Sequence, residues 1–284
     1  MLLTNYGENL LVDFMRGQAP TLAANLSIGL LTAVTDTGGT EVSWPGYARI
    51  TVPRALTAWA GTQSQGSTGA SNGTSHQTSN STQWDFANAG GAATVGALGI
   101  YNGTNLLCWV PLAAPIVYAN GDPVSFAVGA VVLTLGLVGG LSDYASNRLI
   151  DLLFRGVAYT WPSNVTVRLL TSASSNAGGG SEVAAGGGYV SQVVASSLTA
   201  WAGTQGAGTT TASTGTSGET SNNAPIVFPA PTSNWGVVSH LAVSDGAGVG
   251  ANLLYWSQMD TPRTVSGGGP APRYNAGSLR LTFA

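Results

Sequence analysis

Leu56-Thr57-Ala58-Trp59-Ala60-Gly61-Thr62-Gln63 occurs twice in this chain, the second time as Leu198-Thr199-Ala200-Trp201-Ala202-Gly203-Thr204-Gln205. An identical octapeptide marks the register of an internal repeat, and further matches line up outward from it. On the N-terminal side, Tyr6, Asn9, Leu11 and Asp13 match Tyr144, Asn147, Leu149 and Asp151, and Leu30-Leu31-Thr32 matches Leu169-Leu170-Thr171. Gly39, Glu41, Val42 and Tyr47 match Gly180, Glu182, Val183 and Tyr189. On the C-terminal side, Leu106-Leu107-Cys108-Trp109 matches Leu253-Leu254-Tyr255-Trp256, and Val131–Leu135 matches Leu279–Phe283. The offset grows slowly, so insertions are few. The chain reads as a tandem duplication: two copies of one domain, residues 1–137 and 138–284, joined near Gly136–Gly140. Each copy is long enough for a core of its own.

The two copies check each other's patterns. Each opens on an amphipathic helix, with Tyr6, Leu10, Leu11, Phe14 and Met15 on one face of the first and Tyr144, Leu149, Leu152 and Leu153 on the second. Asn5 and Asp143 are the expected N-caps, and Gly17 and Gly156 the stops. Strands are expected at Ser27–Ala33, Tyr47–Val52, Val95–Tyr101, Leu106–Pro111 and at the end of each copy. Asn102-Gly103 and Asp245-Gly246 read as tight turns between strands. The apolar run Phe126–Val138 is too short to span a bilayer, and its counterpart alternates Leu279, Leu281 and Phe283 with polar residues. It is therefore a strand with one buried face. The fold class is mainly β: two homologous units, each a short N-terminal helix plus an antiparallel β-sandwich.

Composition narrows the chemistry. Only 7% of the 284 residues are charged, and all nine basic residues are arginine. A net charge of −3 without a basic cluster excludes nucleic-acid binding. Cys108 is the single cysteine, so there is no internal disulfide and no cysteine metal cluster. His76 and His240 have no histidine counterpart in the other copy, and no nucleotide, metal or cofactor motif occurs. Two carboxylate positions recur, Asp13/Asp151 and Glu41/Glu182, in helix and turn contexts that suit structural roles. Asp151 and Arg155 stand four apart, the spacing of a helix ion pair worth a few tenths of a kcal/mol, on the order of an exposed pair. No catalytic, cofactor-binding or metal residues are expected. Met1–Glu8 lacks the basic start of a secretory signal.

Two polar tracts remain. Gly61–Gln83 has 15 of its 23 residues as Gly, Ser or Thr, and Gly203–Asn223 has 15 of 21. A linker between domains would occur once, whereas these lie mid-copy at the same place. They are read as exposed arms or hairpins able to order by pairing with a neighbouring subunit, the alternative being a disordered surface loop. Trp59 and Trp201, at the roots of the arms, are the candidate subunit or ligand contacts; Trp109 and Trp256, in matched strands, are expected in the core.

The order of motifs resembles a family of tailed-bacteriophage structural proteins labelled tail or tail-fibre proteins. The resemblance rests on Leu3–Asn9, Gly38–Val42 and Gly46–Arg49 in the first copy, and on Trp235–His240, Asp245-Gly246 and Asn252–Trp256 in the second. The second copy departs from it at Ala145-Ser146 and at Tyr189-Val190-Ser191, which has no arginine. The resemblance implies a non-enzymatic virion component on the particle exterior, made in the host cytoplasm. Its first reading is a capsid decoration or cement protein; the alternative is a tail or tail-fibre component contacting a host receptor or surface glycan. Expected partners are copies of itself, as a homo-oligomer such as a trimer, together with the major capsid protein or tail proteins. Neither nucleic acid nor membrane insertion is expected.

Overall fold

The computed structural model describes residues 1–138, 140–247 and 250–283. Gly139 of the expected junction and the terminal Ala284 lie outside the described residues. The first repeat runs β1 (Leu2–Leu3), α1 (Asn5–Met15), β2 (Asn25–Thr35), β3 (Gly38–Glu41), β4 (Ile50–Pro53), β5 (Gln77–Ser79), β6 (Trp84–Asp85), β7 (Ala93–Asn102), β8 (Asn105–Tyr118), β9 (Ser125–Phe126) and β10 (Val132–Thr134). After β11 (Leu137–Val138), the second repeat runs β12 (Gly140–Leu141), α2 (Asp143–Phe154), β13 (Asn164–Leu170), β14 (Gln192–Ala195), β15 (Glu219–Ser221), β16 (Ile226–Val227), β17 (Gly236–Ser244), β18 (Leu253–Val265), β19 (Arg273–Tyr274) and β20 (Arg280–Phe283).

The main sheets have the orders β1-β8-β7-β2-β3, with β4 also on β2, and β12-β18-β17-β13-β14. The described strand pairs are all antiparallel, as neighbouring strands joined by short turns permit. Small ribbons β5–β10 and β6–β9 recur as β15–β20 and β16–β19. β11 spans positions 137 and 138 and pairs with β20, so both its residues lie in the second repeat's sheet. The N-terminal ammonium of Met1 takes the matching place in the first repeat, donating to the carbonyl of Thr134.

The helices begin at the expected caps, Asn5 and Asp143, and are capped one residue earlier. Thr4 Oγ1 accepts from Gly7 N and Ser142 Oγ from Ala145 N, satisfying a free N–H of the first turn. Each hydroxyl also donates to a carbonyl of the long strand beside it, Leu106 O or Leu253 O. That second bond needs a hydroxyl, and no sequence pattern announces it. Gly17 and Gly156 end the helices at φ +80° and +68°.

Buried side chains of the two repeats form one continuous cluster, which takes in Leu11, Val12 and Phe14 of α1 and Leu149, Leu153 and Phe154 of α2. The Phe14 ring stands edge-on to Trp161 at 5.7 Å, so the repeats meet through aromatic contact. The expected alternation before the junction is present: Val131, Leu133 and Leu135 are buried and Val132 is 41% exposed. Among the described residues, no helix is long and apolar enough to cross a membrane.

Two expectations need correction. Trp109 and Trp256 are half-buried on strands paired on both sides, Trp109 against a small second cluster of Leu31, Ala97, Tyr101 and Leu106. Asn102-Gly103 does turn tightly, with Gly103 at φ +63° and Asn102 facing Asn105. Asp245-Gly246 opens a longer loop, closed when Asp245 N donates to Asn252 O and Asn252 N to Asp245 Oδ1. His240 is 9% exposed, with Nδ1 2.8 Å from Ser239 Oγ and its ring tilted against Trp256, a packed histidine. Cys108 is fully buried, and burial pushes its thiol up to about 12. It is therefore expected to resist a thiol reagent at pH 8 in the folded protein and to react stoichiometrically in denaturant. Rapid labelling of the native chain would contradict this placement.

Candidate functional site: the interlocked arms

The arms do not stand free. The first arm folds over α2 of the second repeat, and the second arm folds over α1 of the first. Arg155, at the end of α2, is the first anchor. Its Nε donates to Trp59 O (3.0 Å), Nη1 to Asp151 Oδ1 (2.6 Å) and Ser71 Oγ (3.0 Å), and Nη2 to Ser67 O (3.0 Å) and Gly69 O (2.7 Å). A guanidinium has five N–H donors, and all five are used. Asp151 completes the clasp: Oδ2 accepts from Ser71 N (2.8 Å) and Oδ1 from Ser71 Oγ (2.6 Å).

The same clasp recurs in the other direction. Arg16 Nε donates to Trp201 O (2.9 Å), Nη1 to Asp13 Oδ1 (2.7 Å) and Ser213 Oγ (3.2 Å), and Nη2 to Leu198 O (3.2 Å) and Thr209 O (3.3 Å). Asp13 accepts from the backbone and hydroxyl of Ser213. Burial pulls the Arg16 guanidinium below its ordinary value, against the opposing effect of Asp13. α1 has 11 residues and α2 has 12, so the ion pair is i,i+3 in one and i,i+4 in the other. This one-residue difference moved the arginine out of the alignment that revealed Asp13 and Asp151. The ion pair is also not an exposed one, as the spacing alone suggested: both guanidiniums have 0% side-chain exposure.

A second layer binds each arm further along. Thr62 Oγ1 donates to Asn147 Oδ1 and accepts from Gly73 N, while Asn147 Nδ2 donates to Gly73 O. Thr204, Asn9 and Gly215 repeat every one of these bonds. In both copies the octapeptide supplies a main-chain carbonyl, at its Trp, and a hydroxyl, at its Thr, to the opposite repeat. A Cβ at Gly73 would lie 2.3 Å from Thr62 O, and one at Gly215 2.2 Å from Thr204 O. Gly73→Ala is thus expected to cost about 1–3 kcal/mol of unfolding free energy by forcing the arm off α2. Gly69→Ala, with nothing within 4 Å of its Cβ, serves as the control in the same denaturant titration.

The structure brings Trp59 and Trp201 into the seam between repeats. Trp59 is 0% and Trp201 4% exposed. Their indole N–H groups donate to Pro53 O (3.1 Å) and Ala195 O (3.0 Å). The Trp59 ring packs 5.3 Å from Phe154 of α2 and 5.4 Å from Trp84. Neither face is left for a ligand.

Glu41 and Glu182 also occupy equivalent places but take their arginines from different parts of the fold, one just before β4 and the other within β13. Glu41 accepts from Arg49, which lies 3.3 Å over the Tyr101 ring, and from Tyr47 OH (2.6 Å). Glu182 accepts from Tyr189 OH (2.8 Å) and from Arg168 on β13. The first repeat has Gly29 at the Arg168 position, where a Cβ would lie 2.9 Å from Glu41 Oε2. Burial raises the Glu41 carboxyl, but its hydrogen bonds from Arg49 and Tyr47 outweigh this and hold it below the ordinary range. The arginine of each pair lines a polar cleft at the start of its helix, of about 400 Å³ in the first repeat and 360 Å³ in the second. The arginines there are already neutralised. Among the described residues, no group of three or more His, Cys, Asp or Glu is placed to hold a metal ion.

Comparison with known families finds one model that matches twice, at residues 2–134 and again at 140–282: Podophage GP4 fiber I protein gp80. No curated protein matches the chain significantly.

Proposed function

The chain belongs to that podophage fibre family, and from this premise we propose that it is a non-enzymatic tail-fibre component placed to contact the host cell surface. The observation that carries the reading is the match over both repeats, nearly the full described length. It favours the fibre over the capsid decoration read first from the sequence. The interlocked arms support a mechanical role: a chain clasped through both of its halves resists being pulled apart, as a part exposed outside a particle must. Association with other virion proteins goes with the family; self-assembly, including a trimer, is part of the proposal.

The test is location. Antibodies to the purified chain are expected to label the tails of intact particles, and particles lacking the chain to adsorb poorly to host cells. Label on the capsid shell with normal adsorption would overturn the fibre reading and restore decoration.

A further inference from the structure

The chain has nine arginines and no lysine, so every strong side-chain cation can be accounted for. Five pair with carboxylates. Arg54 donates to the carbonyls of Ala23, Leu152 and Leu153, and Arg148 lies 5.2 Å over the Tyr144 ring. Among the described residues, only Arg263 and Arg273 have neither an ion pair, a hydrogen bond nor an aromatic face.

These two line one cleft of about 370 Å³, between the end of β18 and the loop into β19, and no carboxylate lines it with them. Both are exposed. Beneath them is an apolar recess of Leu169, Val238, Met259 and Tyr274. Tyr274 is pinned there by donating to Met259 Sδ (3.4 Å). Pro270 and Pro272 stiffen the loop that forms the far wall. Two unneutralised guanidiniums beside a low-dielectric floor concentrate positive potential and hold planar donors ready for an oxyanion.

The duplication provides the internal control. Arg263 stands opposite Val238, and the equivalent pair in the first repeat is Ile116 opposite Val95. Arg273 stands opposite Val227, where the first repeat has Ser125 opposite Asp85. The fold therefore does not require either arginine, and the same surface of the first repeat is uncharged or acidic. The second repeat has acquired a cationic cleft that the first lacks.

We infer that the Arg263–Arg273 cleft binds an anionic sugar group of a bacterial surface polysaccharide, with its carboxylate or phosphate on the arginines and its ring in the cleft against the Pro270–Pro272 wall. The inference rests on the fibre reading for the source of the ligand, though the site itself rests on the geometry.

The test titrates the full chain at low salt with a galacturonic acid oligosaccharide, a hexose 1-phosphate, inorganic phosphate and a neutral malto-oligosaccharide. Binding of one or both anionic sugars is expected, tighter than inorganic phosphate and weakening as salt rises. Arg263→Gln and Arg273→Gln should each weaken it roughly ten- to hundredfold. Arg280→Gln, at an exposed arginine paired with Glu219, should leave it unchanged. The oligosaccharide identifies a carboxylated source and the hexose phosphate a phosphorylated one. No anion binding, binding unaffected by both glutamine variants, or equal binding of the neutral sugar overturns the inference. Inorganic phosphate binding as tightly as either sugar overturns its sugar part. The tail-labelling result is independent: a tail-located chain that binds no anion sinks only this inference, whereas a shell-located chain that binds it sinks only the fibre reading.

Discussion

Arg155→Ala is expected to destabilise the protein by at least 3–5 kcal/mol, roughly the cost of breaking a buried ion pair from one side. The loss has two parts. Asp151, with 2% side-chain exposure, is left with an uncompensated charge, and the carbonyls of Trp59, Ser67 and Gly69 lose their donor. Folded proteins have about 5–15 kcal/mol in total, so this is a large share. Arg155→Lys restores the charge but supplies three mobile donors for a site that uses five fixed ones, so only part of the stability should return. Replacing Asp151 and Arg155 together by apolar residues is expected to cost less than Arg155→Ala alone, since no lone charge stays buried. Arg16→Ala should behave alike through Asp13 and Trp201 O. Denaturant unfolding measures all of these. Limited digestion by a protease of broad specificity should cut Arg155→Ala within residues 61–76 before the wild type is cut. An Arg155→Ala protein within about 1 kcal/mol of wild type would mean that the clasp is decoration.

Trp59→Ala is the second large effect, at about 3–5 kcal/mol, from the cavity left by a fully buried indole. The cavity opens between repeats, because the ring touches Phe154 of α2 as well as Trp84. Phe154→Ala should therefore be non-additive with it, the double variant losing less than the sum of the singles. The two candidate roles of Trp59 separate cleanly here. A ligand contact would yield a variant of normal stability and poor binding. A seam residue yields poor stability, with the Arg263–Arg273 cleft still binding its anion wherever the variant remains folded.

Legibility in the sequence followed locality. The helices, the long strands and the tight turn at Gly103 are readable because helix period, strand alternation and Asn-Gly chemistry act over a few residues. The caps were misplaced by one residue because Thr4 and Ser142 are chosen by carbonyls of Leu106 and Leu253, distant in the chain. The arms were read as exposed because Gly, Ser and Thr carry no hydrophobic signal. Their order comes from hydrogen bonds to Arg155, Arg16, Asn147 and Asn9, which composition cannot register. A neighbouring subunit was the expected partner for ordering the arms; within the chain they are held by the other repeat.

The sequence by itself determined the duplication, the mainly β class and the scarcity of reactive groups, because identity between copies and residue periodicity are properties of the string. It also offered Trp59 and Trp201 as subunit or ligand contacts. Only the tertiary structure decided that they face the opposite repeat, that Arg16 and Arg155 are equivalent despite a one-residue shift, and that Arg263 and Arg273 share a cleft. The first two depend on which donors, acceptors and charges meet from 84 to 200 residues apart in the chain, and the third on how β18 and β19 pack. Pairing of that kind is settled by desolvation and geometry in the folded state, and neither is written in the local pattern.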